Sequence, residues 1–191
     1  MYSKKLLKIK NKIIANNIME ELLLYSVSCS DIRRITKNNN IVPYSRLKAY
    51  KTIDELLGDK LACFILFQEE EFYGHWTILS RCGNLLEHFD SYGFKPEEEK
   101  KYINNKEFIE PINYLNILMK NSPYEVSYNE FPFQMKDNYI GTCGKWCMLR
   151  YMFKDMNLYK FKDMIMKDMK KLNIKYPDIF VCRIFFYNYN I

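Results

Sequence analysis

Histidine is scarce in this chain. Among 191 residues only His75 and His88 carry an imidazole, so any chemistry that needs a base titrating near neutrality must draw on one of these two. Long apolar runs are lacking too: the longest strong one, Leu61 to Phe67, falls far short of the roughly 18 to 20 residues that cross a bilayer and fits a buried strand instead. No uninterrupted hydrophobic block follows the basic N-terminus, where lysines are threaded through the apolar residues, so no secretory signal is expected. With that context, Cys29, Cys63, Cys82, Cys143, Cys147 and Cys182 read as reduced thiols and not as a disulfide framework. No repeat, linker or second domain is visible. The chain reads as one domain, 1–191, that stays inside a cell or is packed into a particle, with residues 1–40 as a helical N-terminal extension.

What is present is a globular composition, 48% hydrophobic and 27% charged, with a formal charge of +6 from 29 basic and 23 acidic residues. That excess leaves room for nonspecific DNA contact through a basic surface. Residues 4–24 carry Leu6, Ile9, Ile13 and Leu7, Ile14, Ile18, Leu22 at helical spacing, which predicts an amphipathic helix packed on the domain. Ser30 or Asp31 starts a short helix through Ile35, and Lys37 to Asn40 is a loop ended by Pro43. Thr52-Ile53-Asp54-Glu55 has the pattern of a capping box before a helix stopped at Gly58. Leu61 to Phe67 predicts a strand covered on both faces, followed by an acidic loop from Gln68 to Glu71. Charged helix is predicted from Pro96 to Lys101 and mixed helix over 104–120, then a strand from Tyr124 to Tyr128. A helix from Leu158 to Leu172 presents Phe161, Ile165, Met169 and Leu172, Pro177 stops it, and Ile179 to Tyr187 reads as a last strand.

Two features carry chemistry. Gly141-Thr142-Cys143-Gly144-Lys145-Trp146 places a thiol where a glycine-flanked turn runs into an apolar helix, and the N–H groups and dipole at a helix N-terminus favour the reactive thiolate. The second is a hairpin. Strands Gly74 to Ser80 and Leu85 to Asp90 flank Arg81-Cys82-Gly83-Asn84, and a two-residue turn at Cys82-Gly83 or a four-residue one makes facing residues sum to 165, setting His75 opposite Asp90. His75, Asp90, Gln134 and Cys143 then supply a base, an orienter, an amide donor and a nucleophile, the parts of a cysteine hydrolase. Other readings of the same residues remain. Cys143 and Cys147 with the two histidines would make a zinc site, and His88, on the same sheet face as His75, is a rival base.

Gly74-His75-Trp76, Phe89-Asp90-Ser91-Tyr92-Gly93, Gln134 and Thr142-Cys143-Gly144-Lys145-Trp146 resemble the motifs of the adenain-like cysteine proteases, relatives of the SUMO-specific proteases. The likeness covers roughly residues 40–155 and is closest to the maturation proteases of virophages, Maverick/Polinton elements and large DNA viruses. It implies an α+β fold, a mixed sheet packed against a central helix headed by the cysteine, with helices on both faces. It also implies His75, Asp90 and Cys143 as a triad and Gln134 as the oxyanion donor, with no cofactor and no metal. The implied activity is cleavage of capsid or other virion precursors by a monomer in the virion or the infected cytoplasm, off the membrane, with DNA as an activator. The segment from Gln134 to Cys143 is a couple of residues longer than in adenain. A deubiquitinating or SUMO-removing hydrolase using the same four residues, and a non-catalytic binding or zinc-binding module of the same fold, are the alternatives.

Overall fold

The computed structural model describes residues 18–71, 73–137 and 140–191. Its centre is the apolar run read as a doubly covered strand: β2 spans Ala62–Glu70, and Ala62 to Phe67 are all buried. Around it lies a five-stranded sheet in chain order, with β1 (Ile41–Pro43), β3 (Tyr73–Cys82), β4 (Leu85–Asp90) and β5 (Glu125–Tyr128). The β2–β3 and β3–β4 pairs are antiparallel, whereas the edge strands β1 and β5 join in parallel, so the sheet is mixed. Alternation along β2 sends Phe64 and Leu66 to one face and Cys63, Ile65 and Phe67 to the other.

Each face is covered by helices. Against Phe64, Leu66, Trp76, Ile78 and Phe89 pack α1 (Cys29–Thr36), α4 (Cys143–Met152), α5 (Leu158–Lys171) and α6 (Pro177–Tyr189), contributing Ile32, Trp146, Phe161 and Phe185. On the other face α2 (Ile53–Leu57), α3 (Tyr114–Lys120) and a 3-10 turn at Tyr44–Ala49 bring Leu56, Leu115 and Leu47 onto Ile65, Leu79 and Leu86. The expected α+β architecture is therefore present, and Cys143 is the first residue of α4.

Several elements differ from the sequence expectation. Ile179 to Tyr187 is helix α6 and not a strand, because Pro177 sits at its first position, where a missing N–H costs nothing, and Asp178 meets its positive end. The apolar and aromatic run that imitates a strand is a helix with Phe180, Val181, Cys182 and Phe185 sunk in the core. Between Pro96 and Lys120 only α3 is α-helical; residues Glu98–Tyr102 and Lys106–Phe108 are single 3-10 turns. Gln68 to Glu70 continues β2, because β3 begins early enough to pair with it. Thr52 does cap α2 by accepting the Glu55 N–H, but the Glu55 carboxylate reaches Lys51 N–H, so the reciprocal bond is displaced by one residue. A true capping box forms instead at Ser28 and Asp31 ahead of α1. Ile41–Pro43, read as loop, is β1, and Leu172 caps α5 in solvent in place of extending its buried stripe. Residues 18–24 of the predicted N-terminal helix are helical, while 4–17 lie outside the described residues.

Candidate active site

The hairpin turn is Gly83-Asn84, with Gly83 at φ 58, so facing residues sum to 167 and Asp90 stands opposite Thr77, not His75. Because the register differs from the expected one by two, every side chain keeps its face. His75 meets Asp90 on the diagonal, within range of a ring. His75 Nε2 lies 3.0 Å from Asp90 Oδ2.

Asp90 is fully buried and is held by its surroundings. Asn129 takes both main-chain groups of Asp90, accepting its N–H at 2.9 Å and donating to its carbonyl at 2.6 Å. Oδ1 accepts the Tyr92 N–H at 2.6 Å. Burial opposes the carboxylate, but attraction and hydrogen bonding from His75 outweigh it and hold the Asp90 pKa below its ordinary value. The Tyr92 ring stacks on His75, centroids 4.7 Å apart and 14° from parallel, so the imidazole is fixed in plane as well as along its edge.

Cys143 reaches this ring from the opposite layer. Hydrogen bonding and charge interaction with His75, together with the main-chain N–H groups of Trp76 and Gly144, favour its thiolate form. Burial alone would raise the thiol pKa; the His75 bond and charge, with the two N–H groups, bring it below the usual value. Burial likewise works against a charged His75, and Asp90 and Cys143 overcome it, raising the ring well above its ordinary value. Both shifts favour the thiolate–imidazolium form of the pair.

Gln134 is buried and tied to the same corner. Its N–H and that of Phe133 both donate to the Ser91 carbonyl, and its Oε1 accepts from Ser91 Oγ at 2.7 Å. Its Nε2 donates to the Ile140 carbonyl at 2.7 Å and to the Tyr92 hydroxyl at 3.2 Å. A second donor, from the main chain, is the Cys143 N–H, at the first position of α4.

His88 is fully buried two residues before Asp90, with neither ring nitrogen hydrogen-bonded, and burial pushes it down to about 4. It shares the sheet face of His75, as expected, but is sealed from solvent. Cys147, the other half of the zinc reading, donates its thiol to the Trp76 carbonyl at 3.2 Å, and burial raises it well above an ordinary thiol. It is a protonated packing residue. Among the described residues no group of three or more His, Cys, Asp or Glu could hold a metal ion.

Three contributors escaped sequence reasoning. Asp178 on α6 accepts from Thr142 Oγ1 at 2.5 Å, the Met135 N–H at 3.0 Å and Trp146 Nε1 at 3.3 Å, stitching both flanks of the Gln134–Cys143 segment to the head of α4. The Pro177-Asp178 pair was a helix-start signal that could have revealed it. Residues 22–27 form a strap over α4: Lys145 Nζ donates to the carbonyls of Leu22 and Tyr25, Gly141 N–H to Leu23, and Trp76 Nε1 to Val27. Tyr92 entered the sequence reading only as a member of the Phe89 to Gly93 motif, with no role of its own.

No family model matches the chain. Over 153 residues, 75% of this chain and 87% of the relative, it is 41% identical to an uncharacterised protein, V9, of the Sputnik virophage.

Proposed function

This chain belongs to the family of the Sputnik virophage protein V9, and on that premise we propose that it is a cysteine endopeptidase of adenain-like fold that cuts capsid or other virion precursors during maturation. One observation carries the reading: a buried thiol at a helix head whose thiolate is favoured by an imidazole, with Nε2 of that imidazole 3.0 Å from a buried carboxylate. In the reaction the Cys143 thiolate attacks the scissile carbonyl carbon, and the oxyanion is met by Gln134 Nε2 and the Cys143 N–H. The His75 imidazolium passes its proton to the departing amine, leaving a thioester. Neutral His75 then takes a proton from water as the hydroxide attacks that thioester, and Cys143 leaves as thiolate. Asp90 keeps the ring in the productive tautomer throughout.

Cys143→Ala, His75→Ala and Asp90→Ala should each stay folded by circular dichroism while hydrolysis of a co-expressed capsid precursor falls by orders of magnitude, with His88→Ala far milder. Undiminished cleavage by Cys143→Ala would refute the assignment. A ubiquitin-like reporter run beside the capsid precursor distinguishes the deubiquitinating alternative. The net charge of +6 supports DNA as an auxiliary partner, in which case added DNA at low salt should raise the rate.

A further inference from the structure

Behind Asp90 lies a second, sealed acid. His88 and Asp90 are two residues apart on β4 and share a face, and Glu99 reaches them from the 3-10 turn Glu98–Tyr102. Glu99 is 3% exposed, its Oε1 is 3.6 Å from His88 Nε2, and it feels the Asp90 charge. With both carboxyls ionised the two acids repel, and both Glu99 oxygens are left without a hydrogen bond out of reach of water. One proton removes the defect.

We propose that Glu99 is a positioning residue, held as the neutral acid and donating its hydroxyl hydrogen to the Asp90 carboxylate. Asp90 is the better anion of the two because it already accepts from Tyr92 N–H and faces His75, whereas Glu99 accepts nothing. The other groups around Glu99 do not offer it a cation. On its own turn Lys100 is paired with Glu97 at 2.6 Å and Lys101 with Glu98 at 3.5 Å. His88 is uncharged at neutral pH, Cys147 on α4 keeps its proton, and the His75 charge lies beyond Asp90. Burial and the Asp90 charge both raise the Glu99 pKa, in line with this assignment. The consequence is that His75 faces one negative charge spread over two carboxyls. Only this catalytic consequence rests on the protease reading.

The test uses the two histidines as reporters, their ring resonances followed against pH, with the pH profile of Cys143 alkylation by iodoacetamide alongside. Glu99→Gln keeps a neutral donor, so the His75 midpoint should stay within a few tenths of a unit of the unsubstituted protein and the alkylation profile should superimpose. Glu99→Leu removes the donor, concentrates the charge on Asp90 and should raise the His75 midpoint by about one unit, with the alkaline limb of peptide hydrolysis moving alongside. A fall of a unit or more in Glu99→Gln would show that Glu99 carries a charge and overturn the proposal, as would an unchanged midpoint in Glu99→Leu. Should either variant fail to fold, carbon-labelled glutamate in the unsubstituted protein decides it: one side-chain carboxyl must remain protonated through pH 7. None of the spectroscopic readouts needs cleavage, so a protonated Glu99 beside an inert Cys143 would sink the protease reading alone.

Discussion

The reactivity of Cys143 is decided by a balance of opposite effects on one sulfur. Burial raises its pKa, and the His75 interaction and charge, with the main-chain N–H groups of Trp76 and Gly144, together outweigh it, so removing the imidazole should raise the pKa. Alkylation of Cys143 by iodoacetamide should reach half its maximal rate below the ordinary thiol value of 9.0, and in His75→Ala the midpoint should climb, because burial is then opposed only by the two main-chain N–H groups. Hydrolysis should show the complementary limb. It needs imidazolium, whose pKa is raised above 6.5, so cleavage should persist past that pH and decline only as His75 loses its proton. A profile that falls off near 6.5 would contradict the ion pair. These roles were legible as residue types, since one thiol heads a helix and the chain has only two histidines to choose from. Glu99 was not legible, because nothing within Glu97-Glu98-Glu99 marks which carboxyl turns toward His88; Glu97 is buried too, but against Tyr44.

Among the elements, the head of α4 depends on how closely residues 22–27 approach it. A Cβ on Gly144 would come within 2.0 Å of Val27 Cγ2 and 3.0 Å of the Trp76 ring, so glycine is required by contact with a side chain and not by its own dihedrals. Gly144→Ala should lower stability by about 1–3 kcal/mol in urea unfolding, and Val27→Ala in the same chain should recover part of that loss. Additive losses in the double variant would show that the strap does not set the clash. The hairpin shows what the pattern could and could not decide. Alternation was enough to put His75 and Asp90 on one face, yet the turn slid to Gly83-Asn84, and the resulting β3–β4 register, with Asp90 opposite Thr77, makes their meeting diagonal. The error at α6 has a similar origin: with Phe180, Val181, Cys182 and Phe185 buried and the aromatic Tyr187 exposed, its run of apolar and aromatic residues hides the helical period.

Across the whole molecule, α4 is pinned to the sheet at both ends. Its head carries the thiol to His75, and near its tail Arg150 forms a buried two-pronged pair with Glu87 on β4, Nε to Oε1 at 2.6 Å and Nη2 to Oε2 at 3.0 Å. The same guanidinium donates to the carbonyls of Phe153 and Met156, closing the turn into α5. Arg150→Met would leave the Glu87 carboxylate buried without its partner, and should cost about 3–5 kcal/mol by urea unfolding while leaving the residues around Cys143 unchanged in chemistry. A loss within error of zero would mean that the pair contributes nothing net. From its sequence alone this protein already had a doubly covered strand, a hairpin with a conserved parity of faces within its own alternation, and a thiol at a helix start, because all three follow from local periodicity and backbone chemistry. Only the tertiary structure decided that β1 and β5 join in parallel, that Asp178 and residues 22–27 hold the nucleophile helix, and that Glu99 stands behind Asp90. Those contacts join residues far apart in the chain, and their energies come from burial and paired charge, which no local pattern records.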